Sequence, residues 1–358
     1  MSDGSKVFAE LKRSLKKIFP KMSGHEASHF STLLHMTAGM IVSKHCHLPK
    51  IAGKIKSAAK QESIVIKLKR WMNNKSVNVD LFFIPFLEKL LPTIINGPIS
   101  LILDGSVVGR NSACLMASIV YKNRAIPISW LMRDGRKGHF KERYHIELLM
   151  ILKSILPSDV EITIIGDGEF DGIEFLQKIE EHGWNYVTRT AKNARITQHG
   201  KPIQLPKRLK QSQLKIFQGV SFTKVYYGPI TFIAWRPENQ KNIIYLICNY
   251  LSANKAIQYY KKRQSIETFF SDLKTKGFHL QKSHISDLCR LNNLIMAACI
   301  GYIWIVLLGK YAVNKGLNRI FHRTERCDLS LFQLGFRFID YVLNNDKKIP
   351  KIHFMELA

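Results

Sequence analysis

The sequence predicts an α/β protein: a mixed sheet with helices, interrupted by a β-rich insertion and preceded by an α-helical segment. Three observations predict it. Short apolar runs, two of them ending in Asp-Gly, alternate with amphipathic stretches between about residues 96 and 189. A stretch without any acidic residue but with ten basic ones, Arg189 to Pro237, separates these runs from the next amphipathic helix. The first 95 residues instead carry apolar side chains at helical spacing, punctuated by Pro20, Pro49, Pro85 and Pro92.

In the N-terminal segment the helical spacing is seen in Phe8, Leu11, Leu15 and Ile18, and again from Ile64 to Leu68 and Leu81 to Leu91. Lys and Arg outnumber Asp and Glu there by 16 to 6, which suits a small DNA-binding helical domain over residues 1–95 or a helical packing module. The run Ile99 to Asp104 reads as a buried strand followed by an Asp-Gly turn. Strand-like runs follow at Ala113 to Tyr121 and Ala125 to Met132, with Lys122, Asn123 and Arg124 as the hairpin turn. A helix over Glu142 to Leu156, an apolar run leading into a second Asp-Gly at Asp167, a helix over Gly172 to His182 and a strand over Trp184 to Thr188 complete the set. Three strands, helix, strand, helix, strand is the order of the ribonuclease H-like fold. The core therefore divides into residues 96–189 and 251–345 around an insertion at 190–250, whose alternating segments VSFTKVYYGPITFIAWRP and NIIYLICNYL read as antiparallel strands with a basic face for DNA.

Composition narrows the function. With 54 Lys and Arg against 27 Asp and Glu, the chain carries a formal net charge of +27, which favours a polyanionic partner over an anionic membrane surface. The six cysteines form no CxxC pair, so reduced thiols in a cytoplasmic protein are expected. His45-Cys46-His47 lacks a second ligand cluster at zinc-finger spacing and reads as a turn or core edge. Leu291 to Gly309 approaches the length of a membrane span, but it follows a charged amphipathic stretch and reads better as a buried core helix.

The chemistry-bearing pattern has three parts. In the strand order above, Asp104 and Asp167 end neighbouring strands. Two close carboxylates repel one another, and a divalent cation with a taste for oxygen, Mg²⁺ or Mn²⁺, relieves the repulsion. Each Asp-Gly alone is ordinary turn chemistry; the pair in this order is more specific. Asp171 and Glu169 compete with Asp167, whose place at the strand terminus favours it. The third part is YYKKRQSIETFFSDLKTKG, read as one amphipathic helix. At about 100° per residue, Tyr260, Arg263, Glu267 and Lys274 fall within an arc of roughly 60°. Ile266, Phe269, Phe270 and Leu273 form a separate apolar face for packing on the sheet. Glu267 is thus placed to complete a metal site, and Arg263 and Lys274 to hold phosphates; a solvated face with helical ion pairs is the other reading of the same spacing.

Tyr-x2-Arg-x3-Glu-x6-Lys, complete at Tyr260, Arg263, Glu267 and Lys274, resembles the signature of the DDE transposases of the bacterial insertion-sequence 4 family. The resemblance includes LDGS at Asp104, GDGEF at Asp167 and RCDLSLFQLGFRFI near the end, and spans about residues 95 to 340. Gly168 stands where the family usually has Arg or a similar residue. The resemblance implies cut-and-paste DNA transposition by strand cleavage and strand transfer, with two Mg²⁺ ions per site (Mn²⁺ substituting) held by Asp104, Asp167 and Glu267. It further implies contacts from Tyr260, Arg263 and Lys274 to DNA phosphates, transposon ends and target DNA as partners, and a homodimer that synapses two ends. In family members with a hairpin step an insertion tryptophan stacks a flipped base, which makes Trp235 a candidate; a tryptophan packing the insertion against the core is the other reading. A nuclease on the same fold without strand transfer and a non-catalytic DNA-binding relic are the alternatives.

Overall fold

The computed structural model describes residues 1–19, 22–135, 140–238, 240–249, 252–323, 328–352 and 354. Pro20, Tyr250, Leu251, Arg326 and Cys327, named above, lie outside the described residues. The chain opens with helices α1 (Asp3–Lys16), α2 (Gly24–Ser43), α3 (Leu48–Ala52), α4 (Gln61–Met72), α5 (Val79–Phe82) and α6 (Ile84–Ile94). Caps match their sequences: Ser2 accepts from the Ser5 N–H at the start of α1, and Asn78 accepts from the Leu81 N–H at the start of α5. Lys44 ends α2 in the left-handed region, and the chain then turns inward so that His45 and Cys46 are buried. The Cys46 N–H donates to the carbonyl of Phe278, 2.7 Å away, which makes this motif a core edge as the sequence suggested.

Strands β1 (Ile99–Gly109), β2 (Ser112–Tyr121) and β3 (Arg124–Asp134) form an antiparallel meander. Lys122 and Asn123, both at positive φ, make the tight turn between β2 and β3. Then come α7 (Glu142–Ile155), β4 (Ile162–Gly166), α8 (Ile173–Glu181) and β5 (Asn185–Thr190), with β4 parallel to both β1 and β5. The sequence segments expected to form these elements do so within a few residues. One expectation fails: β1 does not turn at Asp104-Gly105. It runs on to Gly109 because β2 pairs with it along that length, and the reversal comes at Arg110-Asn111, with Asn111 at positive φ. What stops near Asp104 is the pairing on the other side, where β4 ends at Gly166.

The segment after β5 adds β6 (Ile196–Gln198), β7 (Lys201–Ile203), β8 (Leu214–Phe222), β9 (Tyr227–Trp235) and β10 (Ile244–Cys248). These strands extend the same sheet, giving the order β3-β2-β1-β4-β5-β10-β9-β8-β6-β7. The protein is thus a mixed α/β structure built on one large mixed sheet with many helices.

The C-terminal part contains α9 (Ala253–Lys261), α10 (Gln264–Ser271), a π-helical turn (Asp272–Lys276), a 3₁₀ turn (Leu280–Lys282), α11 (Leu288–Asn314), α12 (Asn318–Phe321) and α13 (Leu331–Asn344). Helix α11 is apolar enough to cross a membrane by length and composition, yet 94% of its most apolar window is buried inside the protein, so its surface is used as core. It packs against α2, α4, α13 and β3. The N-terminal helices therefore share a core with the sheet through α11, and Asn293 on α11 ties them further by donating to the Met72 carbonyl at 2.9 Å.

Two glycines let α11 and α13 meet backbone to backbone. A Cβ on Gly309 would stand 1.9 Å from the Leu331 carbonyl oxygen, and one on Gly335 would stand 2.0 Å from that of Ile305. Neither obstacle is a side chain that can swing aside. Gly335→Ala should therefore lower the unfolding free energy by about 1–3 kcal/mol, despite a helix-propensity gain of about 1 kcal/mol. Urea unfolding followed by circular dichroism checks this, and an unchanged or higher midpoint would contradict the tight crossing.

Candidate active site

The alternation along β1 places Ser100, Ile102, Asp104 and Ser106 on one face of the sheet. All four are buried. In the parallel ladder, Ser100 lies beside Thr163 and Ile102 beside Ile165. The ladder ends at Ile102 and Ile165, so Asp104 and Asp167 each lie two residues beyond its last pair. Asp167 caps its own loop, its Oδ1 accepting from the Glu169 N–H at 2.9 Å. The Asp104 Oδ1 likewise accepts from the Gly105 N–H at 2.9 Å. Both aspartates thus follow directly on the parallel pairing of β1 with β4.

Gly105 separates the competing carboxylates. A Cβ there would point to the opposite face and meet the Phe140 ring at 2.9 Å and the Glu169 Oε2 at 3.8 Å. Glu169 is engaged on that side, its Oε1 accepting from the Phe140 N–H at 2.7 Å and lying 3.5 Å from the Nε2 of buried His145. Asp171 is also occupied, accepting from the Thr190 hydroxyl at 2.6 Å. Burial raises the Asp171 pKa above the usual carboxylate range, with repulsion from Asp167 and Glu142 adding to it.

Over the Asp104 face lies α10, and here the expected single helix is corrected. The α-helical pairing is interrupted at Lys262-Arg263, where both residues keep right-handed helical dihedrals but the hydrogen bonds tighten to three residues, and the last turn opens into the π-helical segment Asp272–Lys276. A uniform 100° step therefore does not describe the row from Tyr260 to Lys274. The apolar face is as expected: Ile266, Phe269, Phe270 and Leu273 are all buried. Two lysines then fix the helical segment to β1 on either side of Asp104. The Lys262 Nζ donates to the Ser100 hydroxyl at 2.8 Å, and the Lys274 Nζ donates to the Ser106 hydroxyl at 2.6 Å. The wider π turn is what carries Lys274 to its serine. Lys262 escaped sequence reasoning because it falls outside the helical row; its signal, a serine at each side of Asp104 on one face of β1, needs the paired structure to be visible. Burial lowers the Lys262 pKa.

Arg263 connects the two halves of the constellation. It pairs with Glu267 four residues on, while Gln264 donates to the Glu267 Oε2 at 2.8 Å. Burial opposes its charge, but Tyr260, Glu267 and Asp104 outweigh that and hold its pKa above the ordinary value. Glu267 is consequently held by Arg263 and Gln264, and no three His, Cys, Asp or Glu side chains among the described residues converge on one metal position. The donor set of Asp104, Asp167 and Glu267 is oxygen only, which suits a hard divalent cation. Tyr260 is buried at the end of α9. Trp235 lies at the end of β9, paired on both sides, with only 9% of its surface exposed and the Lys261 Nζ 5.4 Å from its ring centre. Its ring is thus mostly buried in the free protein, beside Lys261 of α9.

A cleft of about 1100 Å³ opens from Asp167, Gly168 and Glu169 along the strand ends at Thr190, Arg236 and Ile243. Its other walls are the segment Lys207 to Lys210 with Gln213.

Asp272, in the π turn, is a second titratable group that the sequence gave no reason to mark. It is fully buried, and neither of its oxygens has a hydrogen-bond partner. Burial raises its pKa from 3.8 to about 6, against the pull of Arg124 and Lys276. The folded chain thus holds a proton between about pH 4 and 6 that the unfolded chain releases. That contribution to stability is complete below the unfolded value and is lost as pH rises through the folded one. Asp272→Asn should flatten this dependence and make the protein more stable than wild type at pH 8, by on the order of 2 kcal/mol. Urea midpoints from pH 4 to 8 check it; parallel curves for the two proteins would refute it.

Residues 109–304, just over half of the chain, match the family model described as "Transposase DDE domain". That span includes Asp167, Tyr260, Arg263, Glu267 and Lys274 but begins five residues after Asp104. None of the curated proteins matches. Among solved structures, the chain is similar to one titled "Cryo-EM structure of piggyBac transposase synaptic complex with hairpin DNA (SNHP)", with 13% identity, 97% of this chain and 80% of that chain covered, and a TM-score of 0.49.

Proposed function

From the premise that the chain belongs to the transposase DDE domain family and is a DNA transposase, we propose that it works by cut-and-paste transposition of an insertion sequence, with Asp104, Asp167 and Glu267 as its acidic triad. The observation that supports this reading is that Asp104 and Asp167 follow on the paired ends of β1 and β4, while the segment from α9 to the π turn, which carries Arg263, Glu267 and Lys274, is tied to β1 on either side of Asp104. Its core is ribonuclease H-like, consistent with a parallel β1-β4-β5 unit beside an antiparallel meander. The row Tyr260, Arg263, Glu267, Lys274 supports placing it in the insertion-sequence 4 group.

Asp104, Asp167 and Glu267 would hold two Mg²⁺ ions, with Mn²⁺ able to replace them. When bound, the metal neutralises charge on the phosphate and activates the attacking oxygen for in-line displacement. The residues supply the rest. Arg263 pairs with Glu267 and feels the charge of Asp104, so its guanidinium is the cation that would hold a phosphate oxygen beside the acidic residues. Lys274, two residues from Asp104 along β1 through Ser106, supplies a second cation for the same backbone. Tyr260 shapes the position of Arg263 and faces the terminal phosphate. The N-terminal helices, with their excess of Lys and Arg, read the element's ends, and two copies of the chain synapse two ends.

The test is a duplex carrying the element's own end, mixed with the full chain and Mg²⁺ or Mn²⁺. Wild type should nick the end and join the 3′-hydroxyl to a second DNA. Asp104→Asn and Glu267→Gln should each lower nicking by about 10³-fold or more while end binding changes little. The scale is that of removing one transition-state electrostatic contact or more. Nicking that survives Glu267→Gln would remove Glu267 from the triad, and nicking without joining would favour a nuclease on this fold.

A further inference from the structure

The cleft beside Asp167 is built unlike the rest of the site. Arg189, Lys192, Lys207, Arg208, Lys210 and Lys241 line it, and all six are exposed. None of them forms an ion pair with a carboxylate among the described residues. Asp167 and Glu169, at one end, are the acidic side chains of its lining. So many unpaired like charges on one wall repel each other and are relieved by a polyanion.

The groups that read bases are scarce in the same lining. Tyr245 is its aromatic residue, and the Tyr245 hydroxyl already donates to the Pro206 carbonyl at 2.8 Å. The side-chain oxygen of Gln213 accepts from the Lys210 N–H at 2.8 Å. Arg236 is turned to the Leu209 carbonyl, 2.8 Å away. Beside Asn242 and the two arginines Arg189 and Arg208, which can also meet base edges, stand four lysines, so most of what remains is a row of long cations suited to phosphates, which carry charge but no sequence. Cations of this kind bind a duplex through counterion release, whatever its bases.

Position adds a second constraint. From β4 to β9 the sheet order crosses three strand spacings, about 14 Å, enough for about four phosphates along one strand. The N-terminal helices pack, through α11, on the β3 side. From β3 to β9 is six spacings, about 29 Å, with the β1-β4 aspartates between. Joining one DNA to another needs two DNA segments converging on the acidic pair from different directions.

Resting on the transposase reading above, we propose that this cleft is the seat of the target DNA, held by its backbone without regard to sequence, while the element's end approaches from the side of the N-terminal helices. The cleft leads the target phosphodiester to Asp167.

The experiment uses the full chain with a pre-cleaved duplex of the element's end and an unrelated 60-base-pair duplex as target, comparing wild type with Lys207→Gln/Arg208→Gln/Lys241→Gln. Nicking of an uncleaved end is measured in parallel, and circular dichroism verifies folding. Strand-transfer product per bound end should fall at least tenfold, and the slope of log target affinity against log salt should shrink by about 2–3, three lost phosphate contacts at roughly 0.9 each. Transfer that is unchanged, or that falls only in proportion to end binding and nicking, would overturn the proposal, the second result giving the cleft to the element's end. A wild-type protein that neither nicks nor joins would instead defeat the transposase mechanism itself, independently of the cleft.

Discussion

Everything at the site depends on how the segment from α9 to the π turn lies across β1. Four buried side chains, Ile266, Phe269, Phe270 and Leu273, supply the attraction, each worth about 1.5–3 kcal/mol when removed from water. Apolar burial has no preferred register, however, and would tolerate a shift along the strand. The hydrogen bonds from Lys262 to Ser100 and from Lys274 to Ser106 select one register. They flank Asp104 on its own face, so the same contacts that seat the helix also set Arg263 and Glu267 relative to that aspartate. The interruption at Lys262-Arg263 and the widened turn after Ser271 are the backbone adjustments that let both lysines reach their serines.

The aspartates are fixed by a different device. Sheet pairing puts Asp104 in the interior of a strand and Asp167 at the first position past one, because β4 is shorter than β1. Gly105 then divides the acidic residues between two faces: Phe140 and Glu169 crowd its rear, where any side chain would collide. Three carboxylates close in sequence, Asp167, Glu169 and Asp171, thereby end in three environments. Glu169 serves a backbone amide and Asp171 a threonine hydroxyl, while Asp167 remains at the mouth of the cleft.

Much of this was legible in the sequence because it rests on local periodicity. The five strands and two helices around both aspartates, the apolar face of α10 and the core nature of α11 follow from apolar spacing. What was not legible depends on pairing partners. Asp104-Gly105 looks like a turn until β2 is seen running alongside it to Gly109. The row from Tyr260 to Lys274 looks like one helix because a π turn leaves no mark on residue type. For Trp235 the sequence leaves stacking and packing both open, because its burial beside Lys261 depends on partners distant in the chain. Asp272 was invisible for the same reason: groups that feel its charge, Arg124 of β3 and Tyr302 of α11, lie far away in the chain.

The proposed reaction turns on whether Asp104, Asp167 and Glu267 would together hold a divalent metal. Replacing Mg²⁺ by Fe²⁺ and generating hydroxyl radicals with ascorbate and peroxide would cut the backbone beside the ion, and the fragments can be mapped by mass spectrometry. The account predicts cuts clustered near residues 104, 167 and 267, suppressed by excess Mg²⁺ and reduced in Asp104→Asn. Cuts concentrated elsewhere, such as near His45 and His279, or cuts at 104 and 167 that never include 267, would contradict it.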